Sequence, residues 1–345
     1  MFKLIKWIFK TMLVLTGIMS FTKCGSGYKK KDGKIYFDGK EITDKSFVVL
    51  NDAFAKDSTT AYFKNYPFQY ADVATFEAVD EHYAKDKNKV YYCDEYREGQ
   101  NYYLTKRQTI DELEDVHPES FVALEYGYAK DSKNAYFEGI AFKVKDVASL
   151  KSINTFFAKD DTHAYLNQKP IAGSDGKSFE ITDNNYAKDA THIYYYDYTG
   201  EKNHDIGVIP CNRETFAILE YPFSKDKTSV FFAGKKIDGV DGNTFKMLGH
   251  EYSKDKNAVY IETKKLNGAD ASTFEVFKEN DEFNDEFYYT KDHATIFFAD
   301  KPLKGADVSS FKVLGKCYGT DGKQIYFKTA IVKGANPLTF KVYPH

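Results

Sequence analysis

The sequence predicts an all-β fold, a tandem array of ten repeats of roughly 29 residues, each a β-hairpin or three-stranded meander, stacked as in a solenoid or closed as a β-propeller. Three observations carry this. An octapeptide recurs, as KDKNKVYY at residues 85–92 and KDKNAVYI at 254–261, with eight weaker copies elsewhere. The 28 Tyr and 29 Phe stand against one Trp, and both favour pleated, half-buried surfaces. Beyond residue 23 no segment sustains a helical period.

In chain order, the first element is not part of the fold. Residues 1–23 carry Lys3, Lys6 and Lys10 among apolar residues, then the uncharged run TMLVLTGIMSF, which is the layout of a secretory signal peptide. Cys24 follows at once, with Gly25, Ser26 and Gly27 behind it, and resembles the lipid-modified cysteine of bacterial lipoproteins; Lys23 stands where those signals have a small residue. Cys24 is therefore the expected lipid attachment site, and residues 24–345 the expected single continuous repeat domain. Removing residues 1–23 removes four Lys and no acid, which takes the formal charge from −3 to −7. No basic stripe remains to neutralise a phosphate backbone, so nucleic acid is not an expected partner.

The repeats come next. Their aspartates are Asp32, Asp57, Asp86, Asp131, Asp160, Asp189, Asp226, Asp255, Asp292 and Asp321, at intervals of 25, 29, 45, 29, 29, 37, 29, 37 and 29. The long intervals exceed 29 by 8 or 16, and even increments lengthen a hairpin without turning a sheet inside out. Two insertions fall at residues 93–120 and 196–215, and a third around KENDEFNDEF; the first copy is shortened and reads as a degenerate cap. With each Asp as position zero, an aromatic stands at −3 in the nine later copies, then a small residue at −2 and usually Lys at −1. The Asp side chain closes a turn by accepting from a backbone N–H two residues on, so Asn at Asp86 or Asp255 is expected to change stability by under about 1 kcal/mol. A strand begins at +4, as in AYF, VYY and IFF, and each unit ends in Asp, Ser or Thr and then Phe, as in DVATF and DGNTF. Those polar side chains satisfy backbone donors at a corner.

These tandem KDKNKVYY, KDSKNAYF, KDKTSVFF and KDKNAVYI segments resemble the repeats of the DKNYF family, bacterial proteins often found as predicted lipoproteins. The resemblance covers nearly all of residues 29–345. It implies a repeat fold and brings no catalytic residues.

Candidate sites are few. Lys flanks the repeated Asp, as at Lys85 and Lys87, and the spacing lacks the clustered oxygens of a calcium loop. His163 and His192 occupy equivalent positions 29 residues apart, without a further ligand to complete a metal site. Cys93, Cys211 and Cys317 form no CxxC and allow at most one disulfide. No serine elbow, phosphate-binding glycine loop or HExxH is present, and no cofactor is expected. The aromatic at +5 of the nine later copies is the main candidate: Tyr62, Tyr91, Tyr136, Tyr165, Tyr194, Tyr260 and Tyr326, with Phe231 and Phe297 in the other two of the nine. Alternation sets this row opposite its apolar neighbours at +4 and +6. It either forms an exposed strip that binds a glycan or an extended partner, or packs repeat on repeat. The expected function is that of a non-enzymatic, exported, lipid-anchored protein of the outer membrane or cell surface, whose array binds a glycan or envelope protein or acts structurally. The competing expectation is an exported enzyme acting on glycan or peptidoglycan.

Overall fold

The structure, a computed structural model, describes residues 27–97, 106–183, 185–197, 205–277 and 289–342. Lys-rich hairpins and short Tyr-Ala-Lys strands build ten small antiparallel sheets in chain order, one of three strands and nine of four. They are numbered here 1 (residues 28–42), 2 (48–67), 3 (77–112), 4 (122–142), 5 (151–170), 6 (180–208), 7 (217–237), 8 (246–265), 9 (275–302) and 10 (312–331). The fold is thus the expected all-β tandem array, with one strand per unit more than expected. The extra strand, a, follows the Phe that ends each repeat. It is commonly two residues long, as in Glu77–Ala78, too short to leave a pattern. Strand b is the aromatic-small-Lys triplet and strand c the triplet from +4, as in Tyr128–Lys130 and Ala135–Phe137. Strand d closes the meander and leaves an open edge. Lys and Pro occupy it in Lys169–Pro170 and Lys301–Pro302, residue types that discourage pairing with another chain.

The turn between c and d is a two-residue hairpin with both residues at positive φ, for example Lys64 and Asn65 (45° and 64°) and Glu138 and Gly139 (48° and 78°). That is the turn whose twist matches the flanking strands. At Gly139 and Gly234 a side chain is excluded twice over, because a Cβ would also stand 2.6 Å and 2.5 Å from the Cβ atoms of Tyr92 and Tyr195. The two early insertions lengthen this same hairpin. In sheet 3 the strands extend to Val90–Arg97 and Lys106–Glu112, and in sheet 6 to Ile193–Asp197 and Asp205–Val208. The third insertion lies outside the described residues, between strands a (Glu275–Val276) and b (Tyr289–Lys291) of sheet 9.

The chain divides into two compact units, Met1–Pro170 and Ile171–His345, holding five sheets each. Within each unit the core lies between consecutive sheets. Tyr83 and Val90 of sheet 3 pack with Phe121 against Ala129 and Tyr136 of sheet 4. In the second unit Phe223, Val230 and Phe245 meet Tyr260 of sheet 8 in the same way, and Tyr252, Val259 and Phe274 meet Phe297 of sheet 9. So the −3 and +4 residues of one sheet, with the Phe that ends its repeat, cover the −2 and +5 residues of the next. Interior sheets are buried on both faces.

The small residue at −2 follows from this stacking. Ala55, Ala84, Ala129 and Ala158 fill it in the first unit, all fully buried. The second unit has Ser224, Ser253 and Thr290 at the same position in sheets 7, 8 and 9, all fully buried; the hydroxyl of Ser253, faced by Phe223 of sheet 7, finds no hydrogen-bond partner. A buried hydroxyl without a partner costs stability. Ser253→Ala should therefore raise the unfolding free energy by about 1 kcal/mol, read as a higher denaturation midpoint.

Candidate functional site

The repeated aspartate is a junction rather than a simple turn residue. Asp131 lies between strands b and c of sheet 4 and is almost fully buried. Its Oδ1 accepts from the backbone N–H of Lys133 and Asn134, both at 2.6 Å. Its Oδ2 accepts from the Tyr136 hydroxyl at 3.0 Å and from the backbone N–H of His117 at 2.8 Å. His117 stands 14 residues earlier, in the loop that closes the preceding repeat. The same backward bond joins Asp72 to Asp86, Asp146 to Asp160, Asp175 to Asp189, Asn212 to Asp226, Asp241 to Asp255, Asp270 to Asp292 and Asp307 to Asp321, each earlier residue donating its N–H. Each of these carboxylates closes its own turn and holds the end of the repeat before it.

Two further positions tie the same seam. The Ser or Thr before the closing Phe accepts from the N–H just after the next Asp, as Ser120 does from Ser132 at 3.0 Å and Thr244 from Lys256 at 3.1 Å. The Lys at −1 sends its ammonium to carbonyls of the next closing loop: Lys56 to Val73 and Phe76, Lys130 to Ala148 and Leu150, Lys225 to Gly242 and Phe245. The recurring octapeptide is thus a joint, whose Asp and +5 ring face the repeat before and whose Lys reaches the loop after.

The seven tyrosines belong to this joint, and this corrects the expectation of an exposed strip. Tyr91, Tyr136, Tyr165, Tyr194, Tyr260 and Tyr326 are buried, and Tyr62 is partly buried beneath the shorter sheet 1. All seven hydroxyls donate to the Asp five residues earlier, at 2.6 Å for Tyr62, 2.9 Å for Tyr91, 3.0 Å for Tyr136, 2.5 Å for Tyr165, 2.6 Å for Tyr194, 3.2 Å for Tyr260 and 3.0 Å for Tyr326. Within a unit such rings fill the gap to the preceding sheet: Tyr91 meets Phe68 edge-on at 5.0 Å and Tyr136 lies 5.8 Å from Phe121. Alternation placed the row opposite its neighbours, but stacking covers that face as well.

The electrostatics follow from these bonds. The Tyr62 hydroxyl, with N–H groups of Thr59 and Thr60, holds Asp57 down to about 2 against partial desolvation. At Asp131, Asp160 and Asp189 burial works against the charge, yet the converging donors outweigh it and leave each carboxyl below its ordinary range. Burial, then the hydrogen bond to and charge of the partner aspartate, push Tyr326 up to about 12; at Tyr260 that charge outranks the bond, with the same result. None of these groups is poised to exchange a proton near neutrality.

The remaining candidates are local. His163 Nδ1 lies 3.0 Å from Thr162 Oγ1, and His192 Nδ1 2.8 Å from Thr191 Oγ1, each within its own turn. Among the described residues no group of three His, Cys, Asp or Glu side chains could hold a metal ion. Cys93 is buried, and burial raises the thiols of Cys93 and Cys211; Cys93, Cys211 and Cys317 are free. The signal peptide and Cys24 lie outside the described residues. Sequence reasoning singled out the Asp and the Tyr separately but missed their pairing. A spacing of five across a tight turn was the available signal. The donor 14 residues earlier left none, because any residue supplies a backbone N–H.

A family model described as the DKNYY family matches the chain three times, over residues 4–95, 96–233 and 223–344, and its name differs by one letter from the resemblance read in the sequence. No curated protein and no solved structure matches.

Proposed function

The chain belongs to the DKNYY family, and from that premise we propose that it is a non-enzymatic, exported protein of the cell envelope, tethered by a lipid on Cys24. In this reading the array is a scaffold that holds its edges and turn ends outward for a glycan or envelope protein. One observation supports it above the others: the side chains that repeat are consumed by the array itself. The Asp, Tyr, Thr and Lys of the repeat are bonded to the backbone or side chains of the same or adjoining repeats. Repetition selects here for a joint, and what varies lies outside it, as on the long paired strands of sheets 3 and 6.

Export and tethering are tested in cells. Cys24→Ala should move the protein from the membrane fraction to the soluble one while its circular dichroism stays unchanged. A variant that still sediments with membranes after washing would reject the lipid on Cys24 and point instead to an uncleaved N-terminal span.

A further inference from the structure

Sheet 1 breaks the rule that governs the other sheets. Its register sets Lys29 opposite Tyr36, the pairing that Ala84 and Tyr91 make in sheet 3. Ala84 and Tyr91 are buried by the sheet before them, whereas Lys29 is exposed and Tyr36 partly so. The opposite face is conventional: Tyr28 packs on Phe37 and on Phe47 of the following repeat, and its hydroxyl accepts from the Asn65 N–H at 2.8 Å. Alternation therefore places Lys29, Lys31, Lys34, Tyr36 and Glu41 together on the end face. Lys34 engages Glu41 at 3.0 Å; Lys29 and Lys31 lie on the edge strand of this face, and Asp32 and Asp38 of its two hairpin turns line the same hollow as they do.

We propose that this end face rests on an anionic phospholipid surface. The proposal builds on the reading of Cys24 as the lipid attachment site. Three residues separate Cys24 from Tyr28, and an extended chain spans about 3.5 Å per residue, so the four steps of the tether would hold sheet 1 within about 14 Å of the lipid. Two free ammonium groups suit lipid phosphates, and each lysine at an anionic surface is worth about a fivefold gain in affinity. Tyr36 adds a ring with an apolar body and a polar tip, the type that settles at headgroup level. A solvated cap would need only polar residues here; the lysine pair beside the tether goes further.

The test uses the full chain, purified from membranes in detergent and reconstituted into vesicles of phosphatidylcholine alone or with phosphatidylglycerol. Lysines are acylated with a water-soluble reagent and read by mass spectrometry. Lys29 and Lys31 should react about fivefold more slowly or less on the phosphatidylglycerol vesicles, while the exposed Lys264 and Lys265 of sheet 8 react equally on both. The Lys29→Glu/Lys31→Glu variant should lose the difference at Lys34. Equal labelling of Lys29 and Lys31 on the two vesicle types, with the protein bound to both, overturns the docking face and leaves the tether standing. Failure to bind either vesicle overturns the tether and the docking face together.

Discussion

Tyr136→Ser should lower the unfolding free energy by about 3 to 5 kcal/mol, the cost of truncating a buried aromatic. Tyr136 is 1% exposed, and its ring lies between sheets 3 and 4 with Phe121, Tyr83 and Val90. Serine removes that ring and leaves a cavity between the two sheets. It also withdraws the hydroxyl that reaches Asp131 Oδ2 at 3.0 Å, so a buried carboxylate loses a donor. The denaturation midpoint of the soluble chain reports the loss. A shift below about 1 kcal/mol, the range of ordinary surface substitutions, would mean the ring is exposed after all.

Acid should unfold the protein steeply. A carboxyl whose folded pKa lies below its unfolded value, near 3.9, adds stability that is fully present above that value and is lost as pH falls through the folded pKa. Asp57, held at about 2, and Asp131, Asp160, Asp189, Asp226 and Asp321, all lowered, share that sign. The window is therefore below about pH 4. The melting temperature should be nearly flat from pH 7 to 5 and fall by more than about 10 °C between pH 5 and 2.5. A loss centred near pH 6 would instead implicate histidine and leave the aspartate junctions without this role.

Much of the fold was legible because the repeat writes it ten times. The turn at each Asp, strand c from +4 and the two hairpin insertions all follow from local rules that act within a few residues. Strand a was not, since Glu77–Ala78 or Lys151–Ser152 contributes two residues and its pairing is fixed by strand b. The fate of the tyrosine row was not either. Alternation divides a strand into two faces but cannot say that both are buried, and in a stack every interior sheet is covered twice. The shortened first copy was read as a cap, yet only the register of Lys29 on Tyr36 shows which face the cap leaves open.

Replacement of the aspartate illustrates the same limit. A turn that needs one acceptor tolerates Asn, and that alone was visible in the sequence. Four donors converge on Asp131, two on each oxygen, and an amide nitrogen has no lone pair for the Tyr136 hydroxyl or the His117 N–H. The Asp131 and Tyr136 pair therefore carries the central claim, that the recurring segment is a joint between sheets. A double-mutant cycle of Asp131→Asn and Tyr136→Phe, followed by denaturant unfolding, measures it directly. Each change alone should cost about 1.5 to 3 kcal/mol, and the double variant should fall short of their sum by at least about 1 kcal/mol. Costs that add within about 0.5 kcal/mol would contradict the account, because the carboxylate and the hydroxyl would then be acting independently.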